Sequence, residues 1–175
     1  MPTVKVVTLR ALLTAAGFSP EQISSALANG LGGSGVWRLC TPVGEDDDLN
    51  GSKLFKSIKK YVDDDEKRSN FLVMLTAIAR AATQQDYGAV LSNSVVTAKP
   101  AYKFNYRNKQ HTVLELKHGK KDRIYFYPEK FCGLPCIVLL LAHHKKDQTT
   151  PKEVTTYCET TMKAHLASIS DVSIT

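Results

Sequence analysis

The chain lacks an apolar run long enough to cross a bilayer, because its longest such run, from Cys136 to Ala142, is only strand-sized. It also lacks a basic, apolar and small-residue leader at Met1. Cysteine is scarce, with only four residues, at positions 40, 132, 136 and 158. These absences argue against a membrane partner and against a disulfide framework, so we expect a protein of the reducing cytoplasm.

Acidic residues are scarce in one part of the chain. Residues 99–146 contain 11 Lys and Arg but only Glu115, Asp122 and Glu129, which gives this segment +8 and leaves −2 for the rest. A regional basic surface favours a polyanionic partner, most often nucleic acid. Adaptation to high salt, or exposed charges without a binding role, would produce the same excess of Lys and Arg. Other features of the sequence must therefore decide whether the segment binds nucleic acid.

The chain is long enough for one main domain and an appendage, with 175 residues and 43% hydrophobic content. The predicted appendage is residues 1–34, and the predicted main domain is residues 35–175. In the appendage, a helix from Thr8 to Ala16 ends at Gly17, and Ser19-Pro20-Glu21-Gln22 is a capping box that starts a second helix. That helix has no Lys or Arg for phosphate contacts, so a plain helical hairpin is favoured over a DNA-binding helix-turn-helix.

A glycine-rich loop at residues 32–35 joins the two parts, and it is followed by a predicted strand over Val36 to Cys40. The acidic segment from Gly44 to Asn50 predicts a mobile linker. Helical spacing then predicts two amphipathic helices, whose apolar faces run from Leu54 to Val62 and from Phe71 to Ala82.

Strand periodicity replaces helical periodicity after Ala101. Aromatic and polar residues alternate over six positions: Tyr102, Lys103, Phe104, Asn105, Tyr106 and Arg107. The alternation suits RNA binding, with bases stacked on the rings and phosphates held by Lys103 and Arg107. A half-buried strand with its rings in the core explains the same pattern, and both interpretations stay open.

The next hairpin has a register that its apolar residues fix. Two leucines of its first strand, at positions 114 and 116, must share a buried face with Ile124 and Phe126 of its second strand. A shift of one residue would expose half of them, so Leu116 is predicted to pair with Ile124. The connecting loop then runs from His118 to Asp122 and includes Lys120 and Lys121.

This register places Lys117 opposite Arg123 and Glu115 opposite Tyr125. Like charges that face each other on one sheet surface repel by roughly a few tenths of a kcal/mol. A bound phosphate would relieve the repulsion, and so would an ion pair of Glu115 with Lys117 or Arg123. The sequence alone favours neither explanation.

The run from Cys136 to Ala142 is apolar at every position, which predicts a central strand covered on both sides. It is followed by His143, His144, Lys145 and Lys146, and Thr150-Pro151-Lys152-Glu153 predicts another capping box at the start of a last helix. The predicted fold class is α+β, in the order strand, two helices, three or four strands, helix.

Three features of this region resemble the RelE/HigB superfamily of toxins from bacterial type II toxin-antitoxin systems, in particular its phage-related HigB-like branch. They are Leu114-Glu115-Leu116-Lys117 followed by Arg123-Ile124-Tyr125, the apolar strand Ile137 to Leu141, and Lys145-Lys146 before Gln148, Thr150-Pro151 and Glu153. In element order the resemblance covers about residues 36–166, and in residues about 112–153.

The resemblance implies a small antiparallel sheet packed with two helices on its N-terminal side and a C-terminal helix, here preceded by the helical hairpin. It implies a ribosome-dependent mRNA endoribonuclease that inhibits translation and is neutralised by a cognate antitoxin, often a helix-turn-helix protein. Such enzymes use the 2′-hydroxyl of the RNA as nucleophile and need no metal or cofactor. The protein then removes one proton, stabilises a charged phosphorane-like state and protonates the departing 5′-oxygen.

The residues available match these needs. Lys117 and Arg123 are the candidates to hold the scissile phosphate, and Tyr125 is the candidate to position the hydroxyl or stack on a base. Lys145 and Lys146 would contact neighbouring phosphates or ribosomal RNA, and His118, Lys120 and Lys121 of the hairpin loop are further candidates for RNA binding.

The candidate acid and base are His143 and His144, with His118 third, because the imidazole pKa of about 6.5 suits proton transfer at neutral pH. The first two point to opposite faces if the strand continues, so only one of them would serve. Solvated histidines at a strand end are the alternative. His143 also departs from the family pattern, since such toxins usually carry an apolar residue there.

A zinc site at Cys132, Cys136, His143 and His144 is disfavoured, because the histidines follow a whole strand after the cysteines. Small buried hydrophobic residues are the favoured interpretation of these cysteines, and also of Cys158.

Two other function classes stay open. One is a toxin of the same fold that poisons DNA gyrase by protein contact, and the other is a non-catalytic RNA-binding module.

The extra N-terminal hairpin would be an antitoxin-like mask, a dimer contact or a substrate-positioning arm.

Overall fold

The computed structural model describes residues 2–31, 35–92, 95–147 and 149–175. Most of the predicted glycine-rich loop, at residues 32–34, and Gln148 lie outside the described residues. The elements in chain order are β1 (Thr3–Val6), α1 (Leu9–Ala15), α2 (Pro20–Ala26) with a π-helical turn (Leu27–Leu31), β2 (Arg38–Val43), α3 (Lys53–Tyr61), α4 (Asp65–Ala82), α5 (Tyr87–Ser92), β3 (Thr97–Tyr106), β4 (Lys109–His118), β5 (Asp122–Phe131), β6 (Leu134–His144), α6 (Lys152–Ala167) and β7 (Ser173–Ile174).

The strands of the described chain form one seven-stranded mixed sheet in the order β3-β4-β5-β6-β2-β1-β7. Strands β3 to β6 form an antiparallel meander, whereas β2 runs parallel to β6 and β7 parallel to β1. The α+β class is confirmed. The predicted small antiparallel sheet is wrong in size, because β1 and β7, with only four and two residues, are too short to be evident from the sequence, and wrong in strand direction, because β2 runs parallel to β6.

Two apolar cores cover the two faces of the sheet. Helices α1 to α5 pack on one face, against residues that include Leu116, Ile124 and Phe126. Helix α6 packs on the other face, against residues that include Tyr125 and Leu140. Strand β6 lies in the middle of the sheet with both faces buried, which confirms the prediction of a central covered strand.

The N-terminal segment shares the first of these cores. The oxygen of the Thr8 side chain caps α1, Gly17 follows it with a φ of +86°, and Ser19 and Gln22 form the predicted capping box. Leu12 and Ile23 belong to the same apolar cluster as α3 and α4. Residues on both sides of the predicted boundary after residue 34 therefore contribute to one core, and β1 contributes to the shared sheet.

The acidic segment from Gly44 to Asn50 is a hydrogen-bonded loop within the domain rather than a linker between two bodies. Lys5 of β1 donates to the Asp47 side chain at 2.8 Å, and the Asp48 carboxylate accepts from the backbone N–H groups of Asn50 and Gly51 at 3.0 Å. Helices α3 and α4 then begin at side-chain caps, which confirms the two predicted amphipathic helices.

The predicted register of the β4–β5 hairpin is confirmed, with Leu116 paired to Ile124 and Lys117 to Arg123. The alternating aromatic strand is β3, and its rings pack in the α6 core, where Phe104 is 5% exposed. The core interpretation of that alternation is therefore confirmed.

Two local predictions near the C-terminal part are wrong. The residue that caps α6 is Pro151, without a side-chain hydrogen bond, so Thr150 does not form a capping box. Cys132 is exposed, in a left-handed position of the β5–β6 turn, whereas Cys136 and Cys158 are buried as expected.

Helix α3 covers an edge of β6 that β2 does not reach. Strand β2 pairs with β6 only as far as Val138, so the backbone beyond this point needs other partners. The Ser57 hydroxyl accepts the N–H of Ala142 at 2.9 Å and donates to the Leu54 carbonyl at 2.7 Å. A helical hydroxyl on one side and β5 on the other thus hold the end of β6 that leads to the histidines.

Replacing Ser57 by Ala should lower the free energy of unfolding by about 1–3 kcal/mol, because a buried backbone N–H loses its acceptor. Urea denaturation of Ser57→Ala measures this change. The matched control is Ser92→Ala, which removes an exposed helical hydroxyl that donates to the Gly88 carbonyl. Equal stabilities of the two variants would contradict this role for Ser57.

Candidate nucleic-acid interface

Two rows of polar side chains lie across neighbouring strands where β4, β5 and β6 meet the loops. Lys117, Arg123 and His143 are cross-strand partners and form one row. His118, Asp122 and His144 form the adjacent row, on the opposite face. The predicted register gave the pairing of Lys117 with Arg123, but it left His118 and Asp122 in the connecting loop. The β5–β6 half depends on a bulge beside Tyr125, which the sequence does not reveal.

A buried carboxylate organises the first row. Glu115 is 1% exposed, and its oxygens lie 2.8 Å from Lys145 Nζ, 3.5 Å from Arg123 Nε and 3.4 Å from Lys99 Nζ. Arg123 and Lys145 are each only 4% exposed. One carboxylate therefore holds three cations that come from three different parts of the chain.

Arg123 and Lys145 also fix the loops around the cleft. The Arg123 guanidinium donates to the carbonyls of Asp122 at 2.8 Å and Lys120 at 3.2 Å. The Lys145 backbone N–H donates to the Lys121 carbonyl at 2.8 Å. The β4–β5 loop and the segment after β6 are thereby held against each other.

The ion pairs of Glu115 bear on the repulsion between the facing cations Lys117 and Arg123. Glu115 does pair with Arg123, as the structural explanation required. It has no ion pair with Lys117 in the described part of the chain, and the cations around it outnumber it. A structural network and an unneutralised positive charge therefore coexist at this place.

The excess charge faces a concave surface of about 420 Å³, here called the basic cleft. Its lining contains one carboxylate among six cations: Lys117, Lys120, Lys121, Arg123, Lys145, Lys146 and Asp147. Lysines 120, 121 and 146 are exposed. A polyanion bound here would release counterions and gain charge-assisted contacts, so the cleft is suited to phosphate groups.

His143 is buried beside the start of α6. Its Nε2 lies 3.9 Å from the Glu153 carboxylate, and its ring centre lies 4.7 Å from that of Tyr61. Its Nδ1 has no hydrogen-bond partner among the described residues. Burial lowers the pKa of His143, and the positive charges of Lys145 and Lys60 act in the same direction against the opposing effect of Glu153. The neutral imidazole is therefore the dominant form at pH 7.

His144 forms a dyad with a carboxylate. Its Nδ1 lies 2.7 Å from Asp122 Oδ1, and the other oxygen of Asp122 accepts from Asn70 Nδ2 at 2.7 Å. This contact favours the tautomer with the proton on Nδ1, which leaves the Nε2 lone pair available. The side chain is 30% exposed, so the ring is held by protein on one side and accessible to a ligand.

Both histidines line one hollow of about 390 Å³, here called the histidine hollow, together with Lys60, Tyr61 and Lys146. The dyad, a shared cation and the neighbouring basic cleft bring proton-transfer groups next to an anion-binding surface. Such an arrangement can support general acid–base chemistry on a phosphate ester.

Some predicted site residues lie elsewhere. Tyr125 is fully buried, and burial raises its hydroxyl pKa, so base stacking would require it to leave the core. Lys103 pairs with Thr112, five residues from Lys117 and therefore about 17 Å away along the sheet. Arg107 lies in the β3–β4 turn, farther still from the basic cleft.

Several residues of the site were missed by the sequence analysis. Asp122 was assigned only to a loop, although the predicted register already implied its place opposite His118. Lys99, Tyr61 and Glu153 reach the site from distant elements, and no local pattern signals their positions.

In the described ranges, no group of three or more His, Cys, Asp or Glu is arranged to hold a metal ion. No helix of these ranges combines the length and apolarity that a membrane span requires. In comparisons with known proteins, no family model, no curated protein and no solved structure matches the chain.

Replacing Glu115 by Gln should lower the free energy of unfolding by about 3–5 kcal/mol, because Lys145 and Arg123 would become uncompensated buried charges. Urea denaturation checks this. The double variant Glu115→Gln/Lys145→Met should recover part of the loss, since it removes one orphaned cation. The control, Glu129→Gln, removes a carboxylate on β5 that has no ion pair in the described chain and should change little. A loss below 1 kcal/mol for Glu115→Gln would contradict the network.

The buried His143 should make the protein less stable in mild acid. The unfolded state binds the proton at a pKa near 6.5 and the folded state only at a lower pH, so stability is lost as the pH falls through about 6.5. Urea denaturation at pH 7.5 and 5.5 should show a smaller loss for His143→Phe than for the wild type. Between pH 7.5 and 8.5 the two should change in parallel, and parallel curves down to pH 5.5 would contradict the burial argument.

Proposed function

We propose that this protein binds RNA through the basic cleft and cleaves it without a metal ion. The observation that carries the proposal is the His144–Asp122 dyad beside a surface with six cations and one carboxylate. The cations attract and position the phosphodiester, and the dyad supplies a base whose ring is oriented by Asp122. Neither feature alone supports cleavage, but together they cover both requirements.

In the proposed reaction, Nε2 of His144 accepts the proton of the RNA 2′-hydroxyl while Asp122 holds the ring. The 2′-oxygen attacks the adjacent phosphorus, and the bond from phosphorus to the 5′-oxygen breaks. The positive charge of Lys146 stabilises the pentacovalent state, while Lys117 and Arg123, in the row on the opposite face from His144, hold the RNA backbone in the basic cleft. Lys146, which lines both the basic cleft and the histidine hollow, donates a proton to the departing 5′-oxygen.

The proposal includes the finer identity that the resemblance implies, a RelE/HigB-type toxin that acts on mRNA at the ribosome and is neutralised by an antitoxin. The β4–β5 register and the buried strand that delivers cations support it. The sheet is larger than the resemblance implies, with β1 and β7 added beyond β2. The extra strands lie on the far side of β6 from β4 and β5 and leave the basic cleft open.

A second candidate function is a non-catalytic RNA-binding module, and one observation favours it. Arg123 and Lys145 are buried and paired with Glu115, so their first role is to stabilise the fold. The alternating aromatic strand does not serve such a module, because Phe104 is buried and Tyr102 bonds to the Thr155 carbonyl. The module would therefore use the same basic cleft.

The test compares binding and cleavage of single-stranded RNA, with and without translating ribosomes. His144→Gln should reduce cleavage by about 10²–10⁴-fold, the usual contribution of a general base, and leave RNA affinity nearly unchanged. Lys117→Gln/Lys121→Gln should weaken binding itself. The control is Lys130→Gln, an exposed residue at the far end of β5.

Each result separates the function classes. Cleavage lost in His144→Gln with affinity retained supports the ribonuclease. RNA binding by the wild type without cleavage under either condition would support the binding module. Absence of RNA binding would overturn both, and growth arrest with intact mRNA on induced expression would then point to a protein target such as DNA gyrase.

A further inference from the structure

A second cationic surface lies on α3, outside the basic cleft. Lys53, Lys56 and Lys60 line a cavity of about 140 Å³ between α3 and the start of α6, here called the α3 groove. His143 and Leu141 also line it. Lys59, on the same helix, does not line the groove and instead donates to Asn50 Oδ1 at 3.1 Å.

The α3 groove is continuous with the proposed RNA site. The basic cleft and the histidine hollow share Lys146 and Asp147 in their linings. The histidine hollow and the α3 groove share Lys60, Tyr61 and His143. The three concave surfaces therefore form one trough that passes the candidate base.

The lysines of the α3 groove keep their charge unneutralised. Among the described residues, none of the three forms an ion pair with a carboxylate, in contrast to Lys67 on α4, which contacts Asp63 and Asp64. Lys53 and Lys60 lie over the rings of Tyr157 and Tyr61, at 5.8 and 4.9 Å from the ring centres. Glu153 is the one carboxylate in the lining of the groove.

The spacing of these lysines matches a nucleic-acid backbone. Positions 53, 56 and 60 lie on one side of the helix, and at 1.5 Å per residue they span about 10 Å. A stacked strand advances about 3.4 Å per nucleotide, so the row covers about three phosphates. The cavity of about 140 Å³ is too small for a duplex or for whole nucleotides, so a single strand would lie along the lysines at its rim.

We propose that the α3 groove is a second phosphate-binding segment, along which single-stranded RNA continues from the basic cleft past the histidines. The inference rests on the proposed RNA binding of the basic cleft and adds a requirement for length. A short oligonucleotide fills the basic cleft alone, whereas a longer one also reaches Lys53.

The experiment measures affinity for 2′-O-methyl oligouridylates of 4 and 12 nucleotides, which lack the nucleophilic hydroxyl, from 50 to 200 mM NaCl. The groove variant is Lys53→Gln/Lys56→Gln/Lys60→Gln. The control, Lys59→Gln/Lys109→Gln/Lys130→Gln, removes the same charge from exposed residues outside the trough. All six positions are exposed, so both variants should fold, which melting curves verify.

For the 12-mer, the slope of log affinity against log salt should become shallower by about 2 in the groove variant, because three phosphate contacts contribute about 0.7 each. The 4-mer should bind the groove variant and the wild type alike. The control should retain the wild-type slope with both probes.

Equal slopes for the groove variant and the control would overturn the inference. If Lys117→Gln/Lys121→Gln still weakened binding of both probes in that case, the proposed function would survive without it. A wild type that binds neither probe would overturn the proposed function and the inference together.

Discussion

The buried carboxylate of Glu115 is the interaction on which the rest of the site depends. It lies on the face of the sheet that α6 covers, opposite Tyr125 in the strand pairing. It forms ion pairs with Arg123 of β5 and with Lys145, which follows β6. Isolated buried charges are costly, so each of these ions needs the others to stay in place. The same contacts fix the two loops that carry the exposed lysines. The fold thus concentrates positive charge at one end of three strands, with part of that charge buried and paired with Glu115. The exposed lysines of the basic cleft keep the remaining charge, which is available to a polyanion.

Strand geometry places the two adjacent histidines in different environments. Successive residues of a strand point to opposite faces, so His143 and His144 meet different surroundings although they are adjacent. The first is buried against Tyr61 and Glu153, and the second is held by Asp122. Burial keeps the imidazole of His143 neutral, whereas the Asp122 carboxylate orients the imidazole of His144. The hollow that both of them line lies between the basic cleft and the lysines of α3, where a bound strand of RNA would pass.

Much of this arrangement was predictable from local patterns. The pairing of Leu116 with Ile124 followed from burial alone, and the helices followed from caps and apolar spacing. The failures have physical causes. Strands of two and four residues are too short to show an alternating pattern. The bulge beside Tyr125 shifts the β5–β6 register, and its position depends on tertiary packing that the local sequence does not reveal. The partners of Glu115 could not be assigned either, because Lys145 reaches it from a separate segment.

A structure of the protein with a non-cleavable 2′-O-methyl RNA strand bound would test the proposed RNA site directly. We predict phosphates in the basic cleft within hydrogen-bond distance of Lys117 and Lys146, with the ion pairs of Glu115 intact and a 2′-oxygen next to Nε2 of His144. RNA bound on another face, or a strand whose 2′-oxygens all lie far from His144, would contradict it.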